Sequence, residues 1–299
     1  MKLAGASRAL LVFAVLNACA AFPAGLLLLR NGQAALAVSI FLLGLSLGPC
    51  LAAYPLVSKK RKTAARRVVL VAGGLSIIAF SVLSGANLDL EGFFLFLFSG
   101  IMGAPIGHTL VTLIVGPLLF GRILCGWGCW RAMILELLPI GRSPGRHSGL
   151  WRVLPFAGLA VCVGVAALLA FRRHDPSSGA FVMLGFAAYY AASVGLAFAL
   201  RDQRAFCKYL CPSGLVLGFT SRLSVVKMAS DKQLCNGCGA CSRICPMDID
   251  VARFAKDGRR IASGQCILCR SCAEVCPTGA LHPSAGFDIA GNTPFFRQR

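Results

Sequence analysis

The sequence has few charged side chains and very few acidic ones. Only 14% of its 299 residues are charged, with 11 Asp and Glu against 30 Lys and Arg, whereas soluble domains average about 25% charged residues. This shortage argues against an ordinary soluble domain. The hydrophobic share of 57% and the mean hydropathy of +0.74 predict an integral membrane protein.

Several cofactor and ligand signatures are also missing. No Cys-x-x-Cys-His segment is present, which argues against covalently attached haem. Only His108, of four histidines, lies in an apolar run, so a haem held by two histidines within the membrane is not expected. No Gly-x-Gly-x-x-Gly segment follows a strand pattern, which argues against a direct nicotinamide site. Despite the net charge of +19, no arginine-rich stripe with interleaved aromatics occurs, so no nucleic-acid partner is expected.

Six apolar runs reach the roughly 20 residues that a helix needs to cross the hydrocarbon core. Helices are expected there because they satisfy their own backbone hydrogen bonds in lipid. The predicted spans are residues 10–29, 34–57, 68–86, 93–120, 153–171 and 181–200. The fourth contains Pro105 and Pro117, so we expect it to be kinked or to begin as a re-entrant segment. A second interpretation of the first run is a cleavable signal peptide that ends near Cys19.

Lys and Arg residues are distributed unevenly between the loops. The loops at residues 1–9, 58–67, 121–152 and 201–208 hold 16 of them, whereas the opposite loops hold only Arg30, Arg172 and Arg173. Since basic loops stay on the cytoplasmic side, both termini and everything after residue 200 are expected in the cytoplasm, beneath a bacterial inner membrane. The basic run at residues 59–62 is interpreted as an anchor of this topology.

The fourth run contains small residues and one ionisable residue. Gly100, Gly103 and Gly107 predict close helix packing. His108 lies beside them, and an ionisable residue inside a membrane is a candidate functional residue by default. The alternative is a histidine that forms a hydrogen bond to a neighbouring helix.

Eight of the 15 cysteines form two copies of one motif near the C-terminus. Both copies read Cys-x2-Cys-x2-Cys-x3-Cys-Pro, and each cysteine of the first recurs 31 residues later, which indicates an internal duplication. In such motifs three thiolates bind one cubane, and the fourth cysteine binds the other cluster. The sequence therefore predicts two [4Fe–4S] clusters, one held by Cys235, Cys238, Cys241 and Cys276 and the other by Cys266, Cys269, Cys272 and Cys245.

The surroundings of these cysteines support iron–sulfur clusters over the alternative of structural zinc. Gly237 and Gly239 allow the loop to curl close to sulfur, where amide N–H groups can stabilise cluster charge. Zinc sites also use Cys-x-x-Cys pairs, but they usually have a longer gap between two pairs. Reduced thiolates belong in a reducing compartment, which agrees with a cytoplasmic location for this region.

Two further cysteine pairs, Cys125/Cys129 and Cys207/Cys211, follow the fourth and sixth runs. Both have i, i+4 spacing, so on a helix each pair would share a face. With His108, these four are the candidate catalytic residues. We expect them to bind a metal or a further cluster, or to cycle between dithiol and disulfide; the alternative is that they are small buried hydrophobic residues. The remaining single cysteines, which we assign to packing, are Cys19, Cys50 and Cys162.

These features resemble the NapH/MauN-type membrane ferredoxins of periplasmic nitrate reductase and methylamine utilisation systems, and the C-terminal region of NosR-type proteins is similar. The resemblance covers most of the chain. The family's membrane motif is usually Cys-x-x-x-Cys-Pro, which Cys207, Cys211 and Pro212 match, whereas Trp130 follows Cys129. The resemblance implies electron transfer between quinol and partner redox proteins, or support for the maturation of a partner enzyme.

The expected architecture is an α-helical polytopic membrane protein of about six spans with a C-terminal, bacterial-type 2[4Fe–4S] ferredoxin domain of the α+β class. We expect a transmembrane domain at residues 1–200, a connector at 201–228, the ferredoxin domain at 229–284 and a tail at 285–299. The expected function is electron transfer between the quinone pool and a partner redox protein, as a subunit and not as a stand-alone enzyme. An assembly or metal-reduction factor is the alternative. A redox sensor is a third hypothesis, although no DNA-binding or signalling segment is visible.

Overall fold

A computed structural model describes four long stretches of the chain, residues 21–47, 53–140, 149–175 and 178–286. It also describes residues 15, 19, 50, 145, 288–289 and 293–294. Part of the first predicted span, most of the signal-peptide region and much of the tail lie outside the described residues. In the N-terminal part of the described residues, the chain forms the helices Ala21–Arg30 and Ala34–Leu47.

Within the described residues, three helices are long and apolar enough to cross a membrane. They are Lys59–Ser84, Leu154–Phe171 and Gly179–Leu200. A fourth candidate is the bent pair Pro105–Phe120 and Ile123–Leu135, whose axes differ by 94°. The chain is therefore a helical membrane protein with three to four candidate spans in its described part, against the six that the sequence predicts for the whole chain.

The fourth predicted run is not one helix. A short apolar helix, Leu90–Phe98, ends before Gly100, whose φ of +69° is a conformation that glycine adopts at little cost. A new helix begins at Ala104. It contains one π-helical turn at Val111–Val115 and then Pro117, which lacks the N–H that a helix interior needs. The expectation of a kinked or re-entrant segment is consistent with this interrupted course.

Short helices and two small sheets make up the C-terminal third of the structure. The helices are Ala205–Tyr209, Pro212–Thr220, Ala240–Arg243, Val251–Asp257 and Ser271–Val275. The strands are Val226–Ser230, Leu281–Ala285, Asp288–Ile289 and Thr293–Pro294. The first two strands pair antiparallel from Val226↔Ala285 to Ser230↔Leu281, so the chain returns to its starting strand after both cysteine motifs. This sheet begins at Val226, two residues before the end of the predicted connector.

The C-terminal domain and the membrane helices share one hydrophobic core. Tyr54 and Trp127 from the helical part pack in the same cluster as Met228, Ile267 and Leu268. The Trp127 Nε1–H donates a hydrogen bond of 3.0 Å to the Leu268 carbonyl oxygen, and the Tyr54 hydroxyl donates to Glu274. The cysteine loops of the C-terminal domain are therefore held against the helices.

Five of the basic residues that the sequence analysis counted as loop charges are buried. They are Arg66, Arg122, Arg131, Arg204 and Lys208, and each donates hydrogen bonds within the protein. Burial and hydrogen bonding give these five a structural reason of their own, so they are weaker evidence for the orientation. Removing them from the 16 leaves 11 against three, and the predicted orientation is unchanged.

Candidate metal centres

The two cysteine motifs fold into loops of the same backbone conformation. Gly237 and Gly239 have φ values of +73° and +69°, and the residues 31 positions later, Leu268 and Arg270, have φ values of +52° and +66°. Glycine adopts this left-handed conformation freely, whereas for leucine and arginine it costs free energy. The second loop is held in this conformation by the packing of Leu268, which is buried. The sequence duplication is therefore also a duplication of structure.

Four of the motif cysteines line one cavity, and they are the four that the sequence assigned to the second cluster. Cys245, Cys266, Cys269 and Cys272 surround it, together with apolar side chains such as Met228. Burial raises the pKa of the Cys266 thiol to about 12. Burial, followed by repulsion from the neighbouring thiolates, also raises the pKa of Cys272. A metal-bound thiol is deprotonated outright, so a metal centre in this apolar cavity would hold the four sulfurs as thiolates.

The other four motif cysteines range from buried at Cys241 to exposed at Cys238. Cys241 interacts electrostatically with Cys235 and Cys238, which brings together three of the four ligands assigned to the first cluster. The Cys276 sulfur accepts hydrogen bonds from the Thr278 side chain and from backbone N–H groups at residues 278–280. Burial opposes the effect, but these bonds lower the pKa of Cys276 below its ordinary value. Such N–H···S bonds are the contacts that tune iron–sulfur clusters.

The arrangement fits polynuclear clusters better than single ions. Among the described residues, no three Cys, His, Asp or Glu side chains converge closely enough to hold one metal ion. In a cubane each thiolate binds a different iron, so the sulfurs need not meet at one point. The donor set, the cavity and the N–H groups all fit the [4Fe–4S] clusters expected from the sequence. The assignment of each cysteine to a cluster stays a prediction.

The four cysteines outside the motifs line a second cavity, which we call the four-cysteine chamber: Cys125, Cys129, Cys207 and Cys211. Cys129 interacts electrostatically with Cys125 and Cys207, and Cys211 interacts with the same two residues. The two pairs, which are about 80 residues apart in the sequence, therefore face each other. The same cavity reaches His108, Thr109 and Thr112, so all five candidate catalytic residues border it.

The expectation that each pair shares a helix face is wrong. Cys125 lies in the helix Ile123–Trp127, which ends before Cys129, and Cys129 precedes the next helix in an extended conformation. Cys207 and Cys211 are divided between two helices in the same way. The reason is a non-helical residue directly before the second cysteine of each pair, Gly128 in one and Leu210 in the other. The second cysteine thus becomes a cap: the Cys211 sulfur accepts the Gly214 N–H at 3.3 Å.

Three buried arginines surround the chamber, and the sequence analysis missed them. The Arg131 Nη1 lies 3.9 Å from the Cys211 sulfur, the Arg204 Nη1 lies 3.9 Å from the Cys207 sulfur, and Arg122 interacts with Cys125. A signal was present in the sequence. Arg122 and Arg204 each stand three residues before the first cysteine of a pair, so both segments read Arg-x-x-Cys-x-[Trp/Tyr]-x-Cys.

Ion pairs hold these arginines in place. Arg204 and Arg66 both bond to Glu136, the latter at 2.6 Å, and the Arg131 Nη2 lies 2.6 Å from Asp89 Oδ1. The Arg131 guanidinium also stacks on the ring of Tyr189, 4.0 Å from its centroid. The chamber wall therefore contains a buried network of ion pairs.

The packing predictions for glycines and single cysteines hold only in part. A Cβ on Gly103 would lie 2.5 Å from the Phe96 ring, so this glycine permits close packing, whereas Gly100 and Gly107 have open space. Cys162 is buried and its thiol points to the Glu91 carboxylate at 3.9 Å. The two remaining single cysteines, Cys19 and Cys50, are exposed, so packing within the chain does not explain them.

Comparisons with known proteins agree with these observations. A 4Fe-4S dicluster domain family matches residues 227–277, which includes both cysteine motifs. The chain is 29% identical to the putative electron transport protein YccM of Escherichia coli over 57% of this chain and 53% of that protein. It is 29% identical to the methylamine utilization ferredoxin-type protein MauN of Methylorubrum extorquens over 58% of this chain and 65% of MauN. It is 25% identical to the ferredoxin-type protein NapH of Haemophilus influenzae over 62% of this chain and 70% of NapH.

The match thus spans about half of YccM and about two thirds of MauN. No solved structure matches the chain. The dicluster domain gives the chain an iron–sulfur electron-transfer role. The chain is therefore similar to the NapH and MauN ferredoxin-type proteins, and it has candidate membrane helices and a C-terminal 4Fe-4S dicluster domain.

Proposed function

We propose that this iron–sulfur protein passes electrons between the membrane quinone pool and a partner redox protein. The observation that carries the proposal is the direct contact between the four-cysteine chamber and a cluster loop. Gly126 lies between Cys125 and Cys129, and a Cβ on it would meet the Ile267 carbonyl oxygen at 2.4 Å. Redox-active groups on the membrane side would therefore lie beside the second cluster.

Two [4Fe–4S] clusters are part of the proposal, held by the two sets of four cysteines named above. Each cluster, when bound, takes up and releases one electron. The apolar wall around Cys266 and Cys272 keeps water from one of them, whereas Cys238, at the other, is exposed. The exposed set supports an exit toward a soluble or peripheral partner, because electrons leave most easily from a centre near the surface.

The membrane end of the chamber supports a quinone site. His108, Thr109 and Thr112 lie on the wall of this cavity. An imidazole and hydroxyl groups can bond to quinone oxygens and take up a proton when a quinol is oxidised. These three residues belong to the interrupted helix with the π-helical turn, and such turns often occur at functional sites.

The membrane arrangement belongs to the same proposal. We place the chain in a bacterial inner membrane with six spans at residues 1–200, the connector at 201–228, and the ferredoxin domain at 229–284 in the cytoplasm. The remaining Lys and Arg bias supports this orientation. Thiolate clusters also survive better in a reducing compartment than on the oxidising side.

Reporter fusions are expected to place the C-terminal domain in the cytoplasm. Because 11 further Lys and Arg of the loops lie on one predicted side, a fluorescent protein fused after residue 286 should fluoresce, and alkaline phosphatase at that point should be inactive. A truncation that carries alkaline phosphatase after Arg173 should be active and serves as the control. The reverse pattern at residue 286 would reject the proposed topology.

A short-chain quinol is expected to reduce the clusters of the purified full chain under anaerobic conditions. The measurement is bleaching of the iron–sulfur absorption after rapid mixing. His108→Phe should slow the bleaching at least about tenfold, since a positioned proton-transfer group contributes roughly 10²–10⁴-fold. The iron content should not change.

His174→Phe is the matched control, since His174 lies after the helix Leu154–Phe171 and does not line the cavity. It should react as fast as the native chain. If quinol reduces no cluster although a chemical reductant does, the quinone role is rejected. If both histidine variants behave alike, the site at His108 is rejected.

An assembly or metal-reduction factor remains the second candidate, because four convergent thiols can also bind or reduce a transferred metal. Replacing the four chamber cysteines by serine separates the two functions. An assembly factor would leave its partner enzyme without metal, whereas an electron carrier would leave the partner loaded and unreduced. The metal content of the partner is the deciding measurement.

A further inference from the structure

The wall of the chamber carries more positive than negative side chains. Apart from the cysteines and His108, the ionisable residues on its wall are Arg122, Arg131, Arg204 and Asp89, three positive charges against one negative. Glu136 does not remove the excess, because it is shared between Arg204 and Arg66. Buried charges are normally paired, so the chamber is built for an anionic occupant.

The arginines also have unused hydrogen-bond donors. Arg122, Arg131 and Arg204 are 2–4% exposed, and the Nε of each has no hydrogen-bond partner among the described residues. Buried N–H groups of this kind are rare in folded proteins. An anionic occupant of the cavity that these three arginines line would supply acceptors for such groups.

The two cysteine segments present their sulfurs in equivalent ways. In both, the first cysteine lies three residues after an arginine, and the second caps a new helix and accepts a backbone N–H, from Gly214 for Cys211 and from Ala132 for Cys129. The same type of N–H···S contact occurs at Cys276 in the ferredoxin domain. The chamber thus repeats the ligand environment of the cluster loops.

The relative positions of the four thiols distinguish between the anionic centres that they can form. No three of these thiols converge on one point among the described side chains, which disfavours a tetrahedral single-ion site. A cubane spans a wider set of sulfurs, and with four thiolates its oxidised form carries two negative charges, the size of the excess on the wall.

We propose that Cys125, Cys129, Cys207 and Cys211 hold a third [4Fe–4S] cluster at the membrane boundary, with Arg122, Arg131 and Arg204 donating to its sulfurs. Arg122 also donates to the Gly264 carbonyl and to Gln265 Oε1, at 3.2 and 3.0 Å, next to the ligand Cys266. One arginine therefore connects the wall of the third site with the loop of the second.

Iron and acid-labile sulfide analysis of the anaerobically purified full chain tests the proposal. Three cubanes give about twelve iron and twelve sulfide per chain. The variant with Cys125→Ser, Cys129→Ser, Cys207→Ser and Cys211→Ser should retain about eight of each, and EPR of the reduced sample should lose one of three signals. Cys19→Ser with Cys50→Ser, two exposed cysteines, is the control and should keep all twelve.

The native chain alone can decide the question if the quadruple variant does not fold. About eight iron per native chain, one zinc per chain, or mass-spectrometric evidence of disulfides among the four residues would each overturn the third cluster. The inference does not rest on the quinone. A chain with twelve iron that no quinol reduces would reject only the proposed electron donor, and eight iron with rapid quinol reduction would reject only the third cluster.

Discussion

Glu136→Gln is expected to destabilise the chain by about 3–5 kcal/mol, because it removes the shared counter-charge of two buried arginines. The carboxylate bonds to Arg66 with two contacts of 2.6 and 3.0 Å, and it also bonds to Arg204. All three residues are at most 6% exposed. Breaking a buried ion pair by removing one partner leaves an uncompensated charge in a medium of low dielectric constant.

The melting temperature of the detergent-purified chain, followed by fluorescence or by retention of a monodisperse elution peak, is the measurement. Asp257→Asn is the matched control: this carboxylate also pairs with an arginine, Arg259, but both side chains are about 43–44% exposed. Exposed pairs contribute little, so the control should melt like the native chain. Equal melting temperatures for both variants would show that the Glu136 network does not stabilise the fold.

A second substitution tests whether the cost comes from the arginines. In the Glu136→Gln background, Arg66→Met removes one of the two uncompensated charges and replaces it with an apolar side chain of similar length. Part of the lost melting temperature should return, because two buried residues that interact are not additive. A further loss of the same size as the first would place the effect in packing and not in charge.

The C-terminal ligand set could be predicted from spacing, whereas the chamber could be predicted only in part. A repeat of 31 residues between two cysteine motifs requires equivalent loops, and the paired φ values at Gly237 and Leu268 confirm that equivalence. The convergence of the four other cysteines depends on helices far apart in the sequence. No local pattern specifies such a contact, although equal placement at the ends of two runs was a correct indication.

The helix breaks inside the cysteine pairs show where local reasoning was incomplete. An i, i+4 spacing implies a shared face only if the helix is continuous. Cys211 precedes Pro212, and the residue before a proline is restricted to extended conformations, which is what its ψ of 112° shows. At Cys129 the break depends on Gly128, and the sequence gives no comparable signal because no proline follows this cysteine. The three chamber arginines were missed because the positive-inside rule accounts for basic residues near span ends without giving them a place in a binding site.

Gly126→Ala is expected to destabilise the chain by about 1–3 kcal/mol and to slow reduction of the C-terminal clusters. Its Cβ would lie 2.4 Å from the Ile267 carbonyl oxygen and 3.5 Å from the Cys269 nitrogen. Both neighbours are backbone atoms of a cluster loop, so the strain cannot be relieved by a side-chain rotation. The chamber and the loop must move apart, and the Trp127–Leu268 hydrogen bond beside them must lengthen or break.

Gly195→Ala is the control for this effect, because a Cβ there meets nothing within 4 Å and the residue lies inside the helix Gly179–Leu200. Alanine favours a helix over glycine by roughly 1 kcal/mol, so this variant should melt at or above the native temperature and reduce at the native rate. Both proteins should contain as much iron as the native chain. A Gly126→Ala protein with native stability and native reduction kinetics would mean that electrons do not cross at the contact between Gly126 and Ile267, and the route from the membrane to the clusters would have to lie elsewhere.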